Sequence, residues 1–258
     1  MDGLATAAAN TNTISLIIPC WNDAAALREC LRAVGELRGV DEVIVADASN
    51  QDDSLAVAQA AGARIIRCEQ PNRGRQLNAG SSLAKGDLLV FQHVDVEIKQ
   101  SHIDALRDAA ARDGIVGGAF HRVFDPSHRL RHWMRPFVRF YNRHIGALYG
   151  DQTIFVRREQ FQRMGGFRDI PLMEDVEFSR RMRKAGPIAL LDPPVHASAR
   201  RHKQLGSLRV TLFNMFIMVM FRFGVSPSTL HRWYYGGRSA GTANVRAGGD
   251  EAKPSAAR

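Results

Sequence analysis

Short apolar runs alternate with stretches of helical periodicity along the first half of the chain. Each run is four or five residues long and is bounded by polar residues or proline, which predicts a buried strand. The predicted strands cover 14–18, 43–46, 64–68 and 88–91. The predicted helices run from a cap at Asn22 or Asp23 to Leu37 and over 54–61, 73–84 and 101–112. Strands and helices that alternate in this way indicate an α/β fold with a parallel sheet and right-handed crossovers.

The second half has a less regular pattern. Strands are predicted over 115–124, 153–156 and 188–191. Helices are predicted over 127–145, where Pro136 interrupts the pattern, and over 158–164, 174–185 and 207–223. We therefore expect four segments: a flexible N-terminus at 1–13, an α/β domain at 14–206, an apolar or amphipathic helical extension at 207–235, and a disordered tail at 236–258.

Composition narrows the classes of partner. The chain has 258 residues, a net charge of +9 and 45% hydrophobic residues, and this charge suits nucleic acid, acidic lipid headgroups or phosphorylated substrates. Its three cysteines include no Cys-x-x-Cys pair, which argues against a zinc site and favours a reducing cytoplasm. Residues 1–13 lack the pattern of a signal peptide, and the apolar stretch 210–221 is too short to cross a bilayer.

Acidic residues follow two of the predicted strands. Asp95 and Glu97 come just after the strand at 88–91, where a carboxylate suits a divalent cation that also binds phosphate. The alternative is that both are solvated loop acids. Asp47 and Asp52 follow the second strand and suit either contacts to a nucleotide or a local turn and helix cap.

Two arginines stand at the start of the predicted helix at 73–84. Arg73 and Arg75 are unfavourable for the helix dipole there, so they indicate either a phosphate contact or a solvated pair. The chain has no P-loop, no Gly-x-Gly-x-x-Gly, no Gly-x-Ser-x-Gly and no His-Glu-x-x-His. These absences argue against P-loop phosphotransferases, dinucleotide dehydrogenases, α/β-hydrolases and zincins.

The order of the remaining motifs is more specific than any single one. An apolar strand leads into Pro-x-x-Asn at 19–22 and is followed by Asp47. Then come Arg-Gly-x-Gln-x-Asn-x-Gly at 73–80, His-x-Asp at 93–95, Gly-Asp-Gln at 150–152 and Glu-Asp at 174–175. Over the range from Ile14 to Tyr235 this order resembles family 2 glycosyltransferases with the GT-A fold. The short, single-domain bacterial subgroup with a His-x-Asp motif is the most similar.

The resemblance implies a Rossmann-like, mostly parallel sheet and a nucleotide-sugar site. Residues expected at the nucleoside pocket are Pro19, Asn22, Asp47, Arg73 and Gln76. The resemblance gives Asp95 the role of ligand to Mg²⁺ or Mn²⁺, with His93 in place of the usual first acid. The residues Asp151 and Gln152 resemble an acceptor-side loop.

The resemblance also implies which acids act in catalysis. Glu174 and Asp175 match an acidic pair whose aspartate is the general base, and a favourable acidic first turn of a helix is the alternative explanation. The resemblance implies a hexosyltransferase that uses a UDP- or GDP-sugar and inverts the anomeric carbon. The processive signature Gln-x-x-Arg-Trp is absent, which disfavours a polymer-extending enzyme. The acceptor is unidentified.

Two surfaces suggest further partners. Arginines at 131, 135, 139 and 143 recur every four residues, and the helix at 207–223 is apolar nearly all round. Peripheral contact with anionic lipid at the inner face of the cell membrane, a homodimer, or packing on the domain would each explain that helix. A nucleic-acid-binding protein, a nucleotidyltransferase and an inactive nucleotide-sugar binder are the alternative functions. Acidic residues at successive strand ends would repel nucleic acid, so we expect no nucleic-acid partner.

Overall fold

A computed structural model of the chain describes residues 12–123, 146–197 and 207–236. Its strands are β1 (Ile14–Cys20), β2 (Glu42–Asp47), β3 (Arg64–Arg67), β4 (Leu88–Phe91), β5 (Val96–Glu97), β6 (Gly117–Val123), β7 (Ile154–Arg157) and β8 (Ile188–Ala197). Its helices are α1 (Ala24–Gly35), α2 (Ser54–Ala60), α3 (Arg73–Leu83), α4 (Gln100–Ala110), α5 (Arg158–Arg163), α6 (Glu174–Ala185), α7 (Ser207–Arg222) and α8 (Pro227–Tyr235). A 3₁₀ turn covers Gly150–Gln152.

The strands form one sheet in the order β3-β2-β1-β4-β7-β6-β8-β5. The pairs β1–β2, β1–β4, β2–β3 and β6–β8 are parallel. The pairs β4–β7, β6–β7 and β5–β8 are antiparallel. This mostly parallel, Rossmann-like sheet is the predicted arrangement of GT-A folds, and its antiparallel pairs all involve β5 or β7.

Successive residues of the central strands face opposite layers of the core. Ile14, Leu16 and Ile18 of β1 pack in one apolar cluster with residues of α1, α2 and α4. Ile17 packs in a second cluster with residues of α3, α5 and α6. Because side chains of a strand alternate between its two faces, these runs are buried on both sides. The sheet therefore has helices on both faces and presents the carboxyl ends of β1, β2 and β4 along one edge.

The predicted ends of two strands need correction, and one strand was missed. β1 continues through Pro19 to Cys20 because β4 no longer covers it there; Ile17 is the last residue of β1 that pairs with β4. The carbonyl of Ile17 accepts the N–H of Gln92. Pro19, two residues further on, faces the same side, where β1 is no longer paired, so its lack of an N–H costs no hydrogen bond of the sheet. β8 extends past Leu191 to Ala197 and pairs with β5, a two-residue strand that the sequence did not predict.

Two helix predictions also need correction. α4 begins at Gln100, and the backbone N–H of Lys99 donates to Nδ1 of His102, so Ser101 is not the cap. α8 follows α7 as a separate helix, with Ser226 accepting the N–H of Thr229 as its cap. α6 covers 174–185 as predicted.

Several predictions fall outside the described residues. These are the helix at 127–145 with its arginine stripe, the tail at 237–258 and most of the N-terminus at 1–13. Within the described ranges, no helix combines the length and apolar character that crossing a membrane requires.

Candidate active site

Asp175 lies in the first turn of α6 and accepts hydrogen bonds from two backbone N–H groups. α6 begins directly after Met173, whose left-handed backbone (φ 69°) turns the chain into the helix. The carboxylate of Asp175 accepts the N–H of Gly150 at 2.7 Å and the N–H of Val176 at 2.7 Å. These bonds orient the carboxylate before any substrate binds.

Desolvation and a neighbouring acid raise the pKa of Asp175. The surrounding protein desolvates the carboxylate and the Glu174 carboxylate repels it, which raises the pKa of Asp175 to about 7. Arg73 and the two backbone N–H groups act in the opposite direction. An aspartate with this pKa holds a proton more strongly than an ordinary one, and that property suits a general base at neutral pH.

The turn at 150–152 packs directly on both His93 and Asp175. Gln152 is buried; its side-chain amide donates to the carbonyl of Phe120 at 3.1 Å and its side-chain oxygen accepts the N–H of Tyr149 at 2.9 Å. A methyl group added to the Cα of Gly150 would lie 2.5 Å from Nε2 of His93 and 3.5 Å from Oδ2 of Asp175. Only glycine therefore lets the His93 ring approach the turn this closely.

A buried glutamine shapes the loop that carries His93 and Asp95. Gln92 is fully buried, and its amide donates to the carbonyls of His93 and Val96. Its side-chain oxygen accepts the hydroxyl of Thr153 at 2.9 Å. Gln92 was not predicted as a site residue, although a lone amide directly after an apolar run signals a buried polar group that needs partners.

Two buried polar atoms beside this turn lack hydrogen-bond partners in the part of the chain that the structure describes. They are Nε2 of His93 and Oδ1 of Asp151. Desolvation and the charge of Arg73 lower the pKa of His93 well below its ordinary value, so its imidazole is neutral at pH 7. The other oxygen of Asp151 pairs with Arg122. An unsatisfied buried polar atom costs stability, so both atoms are candidates to contact a ligand.

Arg73 connects the residues that the sequence assigned to separate roles. Its Nη1 lies 3.2 Å from Oε1 of the buried Glu174. Desolvation lowers the pKa of Arg73, but Glu174, Asp175, Tyr235 and Asp95 raise it by more, so the pKa lies above its ordinary value. Because charge interactions weaken with distance, the predicted metal ligand Asp95 and the predicted base Asp175 share the neighbourhood of this arginine.

Two of the residues predicted for a nucleoside pocket, Asn22 and Asp47, contact the loop 49–51. Asp47 is fully buried; one carboxylate oxygen accepts the N–H of Ser49 at 2.9 Å and the other pairs with Arg67. The side-chain oxygen of Asn22 accepts the N–H groups of residues 50 and 51 at 2.9 and 3.1 Å. Arg67 was missed, yet it lies directly beside Asp47 in the parallel register of β2 and β3.

Gln76 joins the carboxyl ends of two strands. Its buried amide donates to the carbonyls of Cys20 and Ala46, both at 2.8 Å. Cys20 follows Pro19 in β1, so Gln76 holds the Pro19 end of that strand against β2. This contact orders the strand edge at which the nucleoside pocket was predicted.

Arg75 and Asp52 make local contacts of the kind that the alternative explanations describe. Arg75 pairs with the exposed Asp169, with 2.6 Å between Nη2 and Oδ2. Asp52 accepts the N–H of Ala24 at 2.7 Å and that of Ser54 at 3.0 Å, and so ties the starts of α1 and α2 together.

The donor atoms near β4 fit a divalent cation that is coordinated partly by the protein and partly by a substrate. Asp95 is exposed and His93 is neutral, with its Nε2 unpartnered in the described ranges. Among those ranges, no three His, Cys, Asp or Glu side chains cluster so that they could hold a metal ion on their own. One or two protein ligands with phosphate oxygens completing the shell is the usual arrangement for Mg²⁺ in nucleotide sites.

Two known proteins are similar to this chain in sequence. An uncharacterized protein of Mycobacterium tuberculosis is 29% identical over 218 residues, which cover 73% of this chain and 67% of that protein. A 4,4'-diaponeurosporenoate glycosyltransferase of Staphylococcus haemolyticus is 27% identical over 132 residues, which cover 46% of this chain and 35% of that enzyme.

Comparison of folds identifies solved structures that resemble this chain. A mannosyltransferase of Pyrobaculum calidifontis, solved in complex with GDP-Man and Mn²⁺, matches with a TM-score of 0.62 and 18% identity. The match covers 86% of this chain and 69% of that one. The model of the family described as Glycosyl transferase family 2 matches residues 15–169. This chain therefore belongs to glycosyl transferase family 2.

Proposed function

We propose that this chain is a metal-dependent, inverting hexosyltransferase that moves a sugar from a UDP- or GDP-sugar to an acceptor hydroxyl or phosphate. The Asp175 carboxylate carries the proposal: it is fixed by the N–H of Gly150, lies beside Arg73 and His93, and has a pKa raised to about 7. The nucleotide-sugar donor is supported by the GDP-Man bound to the mannosyltransferase of similar fold.

Asp175 would act on an acceptor hydroxyl as general base. A hydroxyl is a weak nucleophile, so its proton has to pass to a positioned carboxylate while its oxygen attacks the anomeric carbon. The bond between that carbon and the diphosphate oxygen breaks, and its electron pair stays with the departing nucleoside diphosphate. Attack from the face opposite the leaving group inverts the anomeric configuration.

Asp95 and His93 would hold Mg²⁺ or Mn²⁺ at the carboxyl end of β4. When bound, the ion would offset negative charge on the leaving diphosphate. Arg73 supplies a fixed positive charge in the same neighbourhood, and its ion pair with Glu174 keeps the guanidinium next to Asp175. Glu174 is therefore proposed as the residue that positions Arg73 and tunes Asp175.

The remaining residues would bind the two substrates. Asn22 and Asp47 order the loop 49–51, which we propose as one wall of the nucleoside pocket, with Pro19 and Gln76 at the strand ends behind it. Asp151 has one buried oxygen without a partner in the described ranges, and Gln152 holds the turn that presents it. We propose that this turn contacts the acceptor.

A panel of nucleotide sugars tests this proposal. We expect calorimetry to show that one UDP- or GDP-sugar binds when Mn²⁺ or Mg²⁺ is present and binds weakly in a chelator. We expect nuclear magnetic resonance of the product to show inversion of the anomeric carbon. Retention would contradict the role of Asp175. Tight, salt-sensitive binding of duplex or single-stranded nucleic acid without nucleotide-sugar binding would favour a nucleic-acid-binding protein.

The pH dependence of turnover should respond to the neighbours of Asp175. The base must be ionised, so kcat should rise as the pH increases through about 7, the raised pKa of Asp175. Glu174→Gln removes a charge that raises this pKa, so the rising limb should move to lower pH. Arg73→Gln removes a charge that lowers it, so the limb should move to higher pH.

Glu177→Gln is the matched control for these two variants. Glu177 lies in the same helix and forms ion pairs with Arg168 and Arg181 instead of Arg73, so its loss should leave the limb in place. Profiles of kcat against pH for the four proteins measure the effect. Shifts of the same sign for Glu174→Gln and Arg73→Gln would contradict the assignment.

A further inference from the structure

Helices α7 and α8 bury only part of their apolar surface against each other. Ile217 of α7 and Leu230 of α8 are fully buried. Among the side chains that the structure describes in this segment, the exposed large apolar ones are Phe213, Met215, Phe216, Val219, Phe223 and Trp233. At 3.6 residues per turn, the four on α7 fall within an arc of about 160°, and Phe223 directly follows the helix. We call these six residues the α7–α8 surface.

Aromatic contacts make the α7–α8 surface continuous across both helices. The rings of Phe216 and Trp233 stack with centroids 5.9 Å apart, and those of Phe213 and Tyr234 with centroids 5.8 Å apart. Phe223 is 80% exposed and Met215 is 58% exposed. Contiguous exposed apolar residues of this size are typical of an interaction site in a folded protein.

Charge distinguishes between the two partners that suit such a surface, a second copy of this chain and an anionic membrane. Residues 207–235 include arginines at 209, 222 and 232 but neither aspartate nor glutamate, and Arg222 and Arg232 are exposed. A two-fold dimer would pack this surface on itself, and the segment has no acid of its own to pair with the arginines of the second copy. An anionic bilayer supplies the opposite charge and accepts aromatic side chains at its interface.

We propose that the α7–α8 surface docks the chain on an anionic membrane as a peripheral contact. Tyr235, the last residue of α8, lies close enough to Arg73 of the candidate active site for their charges to interact. This inference goes beyond the proposed function and depends on neither donor nor acceptor.

Co-sedimentation with vesicles tests the proposal without any substrate. We expect the full chain to bind vesicles of equal parts phosphatidylcholine and phosphatidylglycerol, to release as salt rises, and to bind pure phosphatidylcholine weakly. Met215→Ser with Phe223→Ser should weaken binding, since it removes two side chains that insert. Arg222→Gln with Arg232→Gln should weaken partitioning by about 30-fold, because each arginine near the surface contributes about a factor of five.

Arg28→Gln with Arg38→Gln is the matched control, because it removes the same charge at two exposed positions outside the α7–α8 surface. This control should bind as the parent does. If the control lost vesicle binding to the same extent, binding would depend on net charge alone, and the proposal would be overturned. A lack of binding at low salt would also overturn it, as would light scattering that shows a dimer which Met215→Ser with Phe223→Ser converts to a monomer. Neither result touches glycosyl transfer.

Discussion

Replacing Asp175 with asparagine should lower kcat by about 10² to 10⁴ and leave the Kd of the donor nucleotide nearly unchanged. Asparagine keeps the shape of the side chain, and its oxygen can still accept the N–H of Gly150. It cannot take a proton from the acceptor hydroxyl, so the loss should appear in the chemical step. Measuring sugar transfer at saturating donor, together with calorimetry of the nucleoside diphosphate, separates the two quantities.

Asp169→Asn controls for loss of an acidic side chain in the same region. Asp169 precedes α6, its side chain is 53% exposed, and it pairs with Arg75. Exposed ion pairs contribute little to stability, so this variant should retain its turnover and its melting temperature. Full turnover of Asp175→Asn combined with inactive Glu174→Gln would show that the base had been assigned to the wrong acid.

The elements that position Asp175 differ in how far the sequence predicts them. α6 was predicted to the residue, because its acidic first turn, helical periodicity and terminal glycine are all local signals. The contact of Asp175 with Gly150 joins residues 25 positions apart. The fit of Gly150 between His93 and Asp175 depends on volumes that no local pattern encodes.

Local patterns also fail where pairing alone defines an element. β5 has two residues and exists because it pairs with β8, which runs through Pro193 and Pro194 to reach it. A two-residue strand has no periodicity, and paired prolines normally end a strand prediction. The position of Asp95 after β4 was therefore predictable from the sequence, whereas the short strand β5 directly after Asp95 was not.

The nucleoside side of the site was partly accessible from sequence. Asp47 was recognised as a strand end, and the prediction that it and Asn22 serve one pocket remains a prediction. The structure adds that Arg67 pairs with Asp47, a contact that follows from the register of β2 and β3 rather than from any motif. Gln76 was matched by resemblance, and its bonds to two strand carbonyls give that match a structural reason.

Replacing Asp95 with asparagine should remove the metal-dependent part of nucleotide binding. Asp95 is an exposed carboxylate just past a buried strand, and carboxylate oxygen is the protein ligand that Mg²⁺ prefers and that Mn²⁺ accepts. Loss of an outer-shell partner already costs about 10- to 100-fold in metal affinity, so loss of a direct ligand should cost at least that much. Calorimetry of a nucleoside diphosphate with Mn²⁺ measures the effect, and electron paramagnetic resonance of Mn²⁺ reports the ion itself.

Glu97→Gln is the matched control for this variant. Glu97 lies two residues further on, its side chain is 61% exposed, and it interacts with Lys99 at 3.6 Å. Glu97→Gln removes the same charge from the same segment as Asp95→Asn does. Metal-dependent nucleotide binding should therefore persist in Glu97→Gln if Asp95 is the ligand. An Asp95→Asn protein that melts at the parent temperature and binds nucleoside diphosphate with unchanged affinity in Mn²⁺ would exclude Asp95 as a ligand. Asp95 would then affect the site only through the interaction of its charge with Arg73.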